Sequence, residues 1–280
     1  MDLIRANRFT LEQLTEAYNE TRNDYIVPMP MNVARFREYI YLYDIDLSAS
    51  WVATRGDIIY GLGMLGIRSG RAWISRVGVL PWGRRQGIGR SIINKLLDSA
   101  GENSLDTIYL EVIAGNEPAS QLFLTSGFQR TRELIVARRP PHSNHNLMEL
   151  EEKPQIRELN RDQTLSLLEQ RTGRPNWLNE TDTFRKLSDL RGFSVQLPGG
   201  SQGWICYEVT FLQVTRTIVE VLEGDPVKVT RAALCALHER HPAQDAVLEN
   251  LPGADPNWIG FSDIGYFEVF RRTEMVKVNS

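Results

Sequence analysis

The chain has 280 residues, enough for two ordinary domains, and its 42% hydrophobic and 24% charged residues are typical of a soluble globular protein. A net charge of −3 gives no broad basic surface, so general nucleic-acid binding is not expected. No apolar run approaches the roughly 20 residues that cross a bilayer, and the first residues do not resemble a signal peptide. Cys206 and Cys235 lie in apolar stretches, so we expect two buried thiols and a cytoplasmic protein without a disulfide framework.

The hydrophobic pattern of the first half predicts ten elements in the order β-α-α-β-β-β-α-β-α-β. They cover residues 2–5, 10–21, 32–42, 51–54, 58–66, 72–80, 87–100, 107–113, 117–126 and 128–138. Thr10 and Gln13 are spaced as a capping box, and Asn32 stands where the second helix begins. Strands between residues 51 and 80 are expected to be antiparallel, and the helical crossover to residue 107 makes one parallel pair.

The two halves of the chain resemble each other, which predicts an internal duplication. At a constant shift, Leu110-Glu111 matches Leu248-Glu249, and further glycines, a proline and aromatic residues fall in register as far as Phe128 and Tyr266. The polar, proline-containing stretch between the halves looks like a linker. We therefore predict a first domain over residues 1–140, a linker over 141–155 and a second domain over 156–280. Residues 147–151 are predicted as either a short strand or a helical turn.

An anion site is predicted where the strand ending at Leu80 leads through a glycine-containing loop into a helix. Gly87 and Gly89 let the backbone approach an anion, and the helix start offers unpaired N–H groups and the positive end of its dipole. Arg84, Arg85 and Arg90 would oppose that dipole without a bound anion. A purely structural tight turn is therefore disfavoured, and the site suits a pyrophosphate. The spacing fits neither the dinucleotide-binding glycine motif nor the P-loop.

The motif Arg84-x-x-Gly87-x-Gly89 resembles the acyl-CoA pyrophosphate loop of the GNAT superfamily of N-acyltransferases. The resemblance extends over residues 50–139 through Leu110-Glu111-Val112, Asn116 and the later Gly127-Phe128 pair. It implies an α/β fold of tandem GNAT-like domains. Each domain would have a mostly antiparallel sheet with one splayed parallel strand pair, flanked by helices.

The resemblance also implies residue roles in binding acetyl-CoA, the co-substrate. The backbone of Val77, Gly78 and Val79 would pair with the pantetheine arm, and Asn116 would contact pantetheine or the sulfur end. Gly78 is consistent with a bulge that opens the thioester slot. The residues around the pyrophosphate would be Arg84, Arg85, Gln86, Gly87, Ile88, Gly89 and Arg90.

Proton transfer has one candidate base and no evident acid. Glu111 matches the base proposed for ribosomal-protein acetyltransferases of the superfamily, although an exposed strand glutamate or an ion-pair partner remains an alternative reading. The superfamily's usual acid is a tyrosine at the position of Phe123, which has no hydroxyl. Water, another side chain or slow transfer are the alternatives. No metal is expected.

The acceptor is predicted to lie against the loops between the first strand and the second helix. Asp24, Tyr25, Asp44 and Asp46 are the candidates for contacts with an amine. A helix core face is the better interpretation of Phe36, Tyr39, Ile40 and Tyr43.

The second half keeps the apolar framework but lacks the phosphate loop. Glu223 and Asp225 stand where the first half has arginines, and two carboxylates would repel a pyrophosphate. This half is predicted to be a degenerate copy with a structural or acceptor-site role; mycothiol synthases are similar in being tandem. His238 and His241 are interpreted as a solvated helix end, because two ligands do not close a metal site.

Three functions follow in order of support. The first is an N-acetyltransferase that moves an acetyl group from acetyl-CoA to an amine of a small molecule or peptide. The second is a non-catalytic acyl-CoA-binding or regulatory module, which Phe123 keeps open. The third is a scaffold with two vestigial halves, against which the arginines argue. The oligomeric state is left open, and we predict that the final strand of one half packs near the other.

Overall fold

A computed structural model describes residues 1–141 and 153–278. The predicted element at residues 147–151, together with His142 and His145, lies outside the described residues. No helix in the described ranges is both long and apolar enough to cross a membrane.

The first half folds in the predicted element order. Its elements are β1 (Asp2–Arg5), α1 (Leu11–Glu20), α2 (Val33–Leu42), β2 (Trp51–Arg55), β3 (Ile58–Arg68), β4 (Arg71–Val79), α3 (Ile88–Glu102), β5 (Thr107–Ile113), α4 (Glu117–Thr125) and β6 (Gln129–Arg139). The capping box of Thr10 and Gln13 is confirmed, since each side chain accepts from the other residue's backbone N–H. Asn32 caps α2 through the N–H of Arg35.

The sheet of the first half is mixed. Strands β1 to β4 pair antiparallel in order, and β4 pairs parallel with β5, as predicted. Helix α3 packs directly on β3, where a Cβ at Gly63 would stand only 2.6 Å from a methyl of Ile92. Buried aliphatic side chains of α3, β4 and β5 form the core on this face of the sheet.

The second half repeats the same order of ten elements, in agreement with the predicted duplication. They are β7 (Gln155–Leu159), α5 (Arg161–Glu169), α6 (Thr181–Arg185), β8 (Leu190–Gln196), β9 (Gln202–Val209), β10 (Gln213–Glu223), α7 (Pro226–Arg240), β11 (Asp245–Pro252), α8 (Asn257–Asp263) and β12 (Phe267–Val278). Strands β7 to β10 pair antiparallel, and β10 pairs parallel with β11. Gly127 and Gly265 both take a left-handed φ, 91° and 95°, where α4 and α8 end.

The two compact units differ from the predicted domain boundaries in their last strands. One unit comprises Met1–Thr131 and Thr273–Ser280, and the other comprises Arg132–Arg272. Met275 of β12 lies in the core of the first unit, and Ile135 of β6 lies in the core of the second. The halves therefore exchange strand ends, as the packing prediction required, whereas the simple division at residues 140 and 156 does not describe the units. β6 and β12 each follow their own half in sequence, so the hydrophobic pattern by itself assigns each of them to that half.

Candidate active site

A bulge in β4 opens a slot between two parallel strands. Pairing of β4 with β5 reaches Ile74 and Leu110, although both strands continue beyond these residues. The register of β4 against β3 shifts within the same stretch, and Arg76 takes a φ of 53° there. The bulge was expected at Gly78 and lies instead at the two residues before it.

Gly78 has a different role, which is to allow a close approach. A Cβ at this position would stand 2.4 Å from the hydroxyl of Thr21 and 2.9 Å from a guanidinium nitrogen of Arg22. Because these distances are shorter than van der Waals contact, only glycine lets the segment after α1 pack on the open end of β4.

The loop between β4 and α3 presents backbone N–H groups. Arg85 and Gly87 both take left-handed φ values, 61° and 80°, and the first helical hydrogen bond runs from the N–H of Ser91 to the carbonyl of Gly87. The N–H groups of residues 88–90 therefore have no acceptor within the helix. Gly87, the N-cap, has no side chain to cap them. Alternating conformations of this kind form a concave anion site at the positive end of a helix.

Arg84 holds the loop rather than facing outward. Its guanidinium makes a two-pronged contact with the carboxylate of Asp24, with both N···O distances 2.7 Å, and its Nε donates to the carbonyl of Val79. The hydrogen bond from Arg84 lowers the pKa of Asp24. Asp24 therefore has an arginine partner already, and the prediction that it contacts the amine has no support in this geometry.

The other side chains of the loop are exposed. Arg85 faces solvent, Gln86 donates to the carbonyl of Trp82, and Arg90 donates to the hydroxyl of Thr125 on α4. Arg85 in the loop and Arg90 in the first turn of α3 are thus the two arginines that carry positive charge in the segment of the free N–H groups.

Tyr25 reaches the start of α4. Asn116 caps this helix through the N–H of Ala119, and its Nδ2 donates to the hydroxyl of Tyr25 over 3.3 Å. The predicted acceptor residue Tyr25 and the predicted cofactor residue Asn116 are therefore brought together at one edge of the slot.

Glu111 lies just beyond the last paired residue of β5. Side chains alternate along a strand, so Glu111 shares a face with Tyr109, which is in register with Trp73 of β4. The Trp73 ring lies 6.1 Å from Tyr39 of α2 and 5.8 Å from Tyr43, the C-cap of that helix. Glu111 therefore faces the side of the sheet that carries α1 and α2, at the open end of the strand pair.

Phe123 cannot act as an acid and is part of the core. Its ring is 7% exposed and packs edge-on against Phe128. Ser120 accepts a hydrogen bond from Arg130, and the Thr125 hydroxyl donates to carbonyls of its own helix. These two hydroxyls therefore have other partners.

Asp44 and Asp46 are not brought to the slot. Asp44 accepts a hydrogen bond from Arg68, which lies at the β3–β4 turn, the far end of the strand from Gly78. Asp46 accepts from the N–H groups of Ser48 and Ala49 and so closes a turn. The prediction that these two residues contact the amine is corrected, because sequence proximity to α2 does not fix the direction of a side chain.

Two arginines were missed by sequence reasoning. Arg22 and Arg76 both stack on the ring of Tyr18, with Cζ 4.3 and 5.2 Å from its centroid. Arg76 also donates to the Tyr18 hydroxyl over 3.0 Å. Neither belongs to a spacing motif. An arginine in the middle of an otherwise apolar strand was the one available signal for Arg76.

The second unit has the same bulge, with the corresponding slot filled by its own side chains. Arg216 of β10 takes a φ of 55° at a register shift like that of β4. The carboxylate of Asp225 accepts from the N–H groups of Val227 and Lys228 at the start of α7. The buried side chain of Asn257 donates to the carbonyl of Val219 in the open end of β10. Internal acceptors and donors thus replace the groups that an acyl-CoA would contact.

The remaining polar candidates are structural. Cys206 and Cys235 are free and buried, and burial raises the pKa of Cys206 to about 12. His238 is 1% exposed and hydrogen-bonded to the hydroxyl of Tyr266, so its interpretation as a solvated helix end is wrong. Among residues 1–141 and 153–278, no three metal-ligating side chains cluster.

Comparison with known proteins agrees with this geometry. The model of the Acetyltransferase (GNAT) family matches residues 11–128. A tandem GNAT protein from the clavulanic acid biosynthesis pathway superposes with a TM-score of 0.68 at 14% identity, over 99% of this chain and 98% of that one. A GCN5-related N-acetyltransferase from Sphaerobacter thermophilus gives a TM-score of 0.71 at 15% identity, over 96% and 92%. No curated protein sequence matches significantly. At such low identity, the structural likenesses establish the fold.

Proposed function

We propose that this protein is a tandem acyltransferase of the GNAT superfamily that transfers an acetyl group from acetyl-CoA to an amine. One observation carries the proposal, namely the start of α3. The N–H groups of residues 88–90 lie beside Arg85 and Arg90 and lack acceptors within the helix, which is an arrangement suited to a pyrophosphate.

The open end of β4 suits the pantetheine arm. The carbonyls of Val77 and Val79 accept hydrogen bonds from Arg22 and Arg84, and each retains a second lone pair. An amide-containing arm lying beside Gly78 would act as an added strand next to β4. Acetyl-CoA supplies an acyl group activated as a thioester, and the protein positions it.

Proton transfer is assigned to two residues at the slot. Glu111 accepts the proton that the ammonium form of the acceptor must lose before its nitrogen attacks the thioester carbonyl. As the new C–N bond forms, the C–S bond breaks and the sulfur takes the electron pair. Tyr25, held by Asn116, donates a proton to that sulfur in the role for which Phe123 lacks a hydroxyl. The products are the acetylated amine and free CoA.

The test is a calorimetric titration of acetyl-CoA into the wild type and two matched variants. Gly87→Asp places a carboxylate among the free N–H groups, as Asp225 does in α7, and should abolish measurable binding. Gly70→Asp is the control, because Gly70 has a similar φ of 76°, equally open surroundings and a location at the β3–β4 turn. Absence of binding to the wild type overturns the proposal, as does equal loss in both variants.

A non-catalytic acyl-CoA-binding module is the second candidate, favoured by the buried, hydroxyl-free Phe123. Release of CoA in the presence of an amine panel separates the two functions, since a binding module takes up acetyl-CoA and releases no CoA. Two free, buried cysteines fit a reducing compartment, so we place the protein in the cytoplasm, with acetyl-CoA and the amine as its partners.

A further inference from the structure

Arg22 lies at the open end of the slot, where its hydrogen-bond acceptors among residues 1–141 and 153–278 are neutral. It follows the C-cap of α1, and its guanidinium donates to the hydroxyl of Thr21 over 3.1 Å and to the carbonyl of Val77 over 3.4 Å. Its Nε is buried and makes no hydrogen bond within the described part of the chain. Nη1 and Nη2 each make one of these hydrogen bonds and carry a second N–H, so the guanidinium retains donor capacity beside the residues assigned to the thioester.

The groups around Arg22 do not neutralise it. Its guanidinium stacks on the rings of Tyr18 and Tyr25, with Cζ 4.3 and 5.3 Å from their centroids, and it interacts electrostatically with Tyr39 and with the positive charge of Arg76. Burial, and then the charge of Arg76, lower the pKa of Arg22, so keeping its positive charge has an energetic cost. Asp24, two residues along the chain, is already bound by Arg84.

The packing keeps this charge in place. Gly78 lets Thr21, the residue before Arg22, pack against β4, and the Tyr18 ring on which the guanidinium stacks is fixed by a hydrogen bond from its hydroxyl to the carbonyl of Met29. A planar guanidinium that stacks on aromatic rings and keeps a second N–H on each Nη atom matches the flat, two-oxygen geometry of a carboxylate.

We propose that Arg22 binds a carboxylate of the acceptor, so that the substrate is an amino acid or another amine that carries a carboxylate. This inference rests on the proposed acetyl transfer and narrows its substrate class. Arg22 acts as a specificity-determining residue: it holds the acceptor by its anionic group while the amine faces the thioester.

The test measures CoA release with paired acceptors. One series contains α- and ω-amino acids such as phenylalanine, tyrosine, lysine and 6-aminohexanoate, and the other contains the amines that remain after removal of the carboxyl group. The variants are Arg22→Gln and Arg22→Lys, with Arg37→Gln as the control because Arg37 is exposed on α2. Calorimetric binding of acetyl-CoA to each variant checks that the fold and the cofactor site are intact.

The wild type is expected to favour the carboxylate series at least tenfold in kcat/KM. Arg22→Gln should raise KM for that series tenfold or more and affect activity toward the decarboxylated amines far less, while Arg22→Lys keeps part of the preference. A wild-type preference for the decarboxylated amines would overturn the inference and leave the proposed acetyl transfer intact. An equal loss of activity on both series in Arg22→Gln would have the same meaning. Acetyl-CoA binding without turnover of either series overturns the inference together with the catalytic part of the proposed function. Absence of binding removes the proposed function itself.

Discussion

Gly87 and Asp225 occupy the same position in the two halves, the N-cap of the helix that follows a bulged strand, and leave opposite charge at the helix start. At Gly87 the first N–H groups of α3 keep no internal acceptor. At Asp225 a carboxylate accepts from two N–H groups of α7. One position therefore decides which half suits an anionic ligand.

This difference predicts one acetyl-CoA per chain. Calorimetry of the wild type should give a stoichiometry near one, because the start of α7 and the open end of β10 are occupied by Asp225 and Asn257. A stoichiometry of two would contradict the assignment.

Asp225→Ala should destabilise the fold without touching ligand binding. Loss of an N-cap of this kind costs about 1 kcal/mol of unfolding free energy, which urea denaturation would measure. Glu239→Ala, on the exposed surface of the same helix, is the control and should change the unfolding free energy little. A reduced affinity for acetyl-CoA in Asp225→Ala would argue against a purely structural second helix start.

Tyr25→Phe should lower kcat with little change in either KM. The hydroxyl that Asn116 holds is the assigned proton donor to the CoA sulfur, and loss of a general acid costs about a hundredfold when the leaving group is a good one. Steady-state kinetics would measure the loss, and Tyr41→Phe, an exposed position on α2, should behave as wild type. An unchanged kcat in Tyr25→Phe would assign the proton to water.

Glu111→Gln should lower kcat by about a hundredfold. It should also remove the fall in rate at low pH, because that fall reflects protonation of the general base. The comparison is a pH–rate profile of wild type and variant. Glu16→Gln, on the exposed face of α1, provides the matched loss of one carboxylate. If the acidic limb persists in Glu111→Gln, Glu111 is not the base.

His238 should make the fold sensitive to acid. Burial lowers its pKa to about 3, below the ordinary value of 6.5. Between these values the unfolded chain binds a proton that the folded protein does not, so stability falls as pH drops below about 6.5. From pH 7 to pH 5 this group alone removes about 2 kcal/mol.

His238→Gln keeps a polar partner for Tyr266 and does not titrate, so its melting temperature should fall less than that of wild type over this pH range. Thermal melts at both pH values provide the measurement. Parallel losses in the two proteins would assign the acid sensitivity to other groups.

Much of the fold was predictable from sequence because its signals are local. Hydrophobic periodicity placed all ten elements of the first half, and Thr10, Asn32 and Gly87 marked helix starts through their capping chemistry. The exchange of β6 and β12 was predictable only as packing of a final strand near the other half. The exact division of the units was not predictable, because the end of each strand packs in the other unit and such pairing depends on contacts between residues far apart in sequence.

The sequence by itself determined the family resemblance, the phosphate-binding loop and the loss of that loop in the second half, because glycine conformation and charge at a helix start act over a few residues. Tertiary structure alone decided which carboxylates face the slot and which arginines lie beside it. Asp24 is bound by Arg84 from 60 residues away, Asp44 lies at the far turn, and Arg22 meets Val77 across 55 residues. Such contacts depend on which distant segments the fold brings together. Whether the charge of a side chain is neutralised by a partner or can bind a ligand is therefore decided by the tertiary structure.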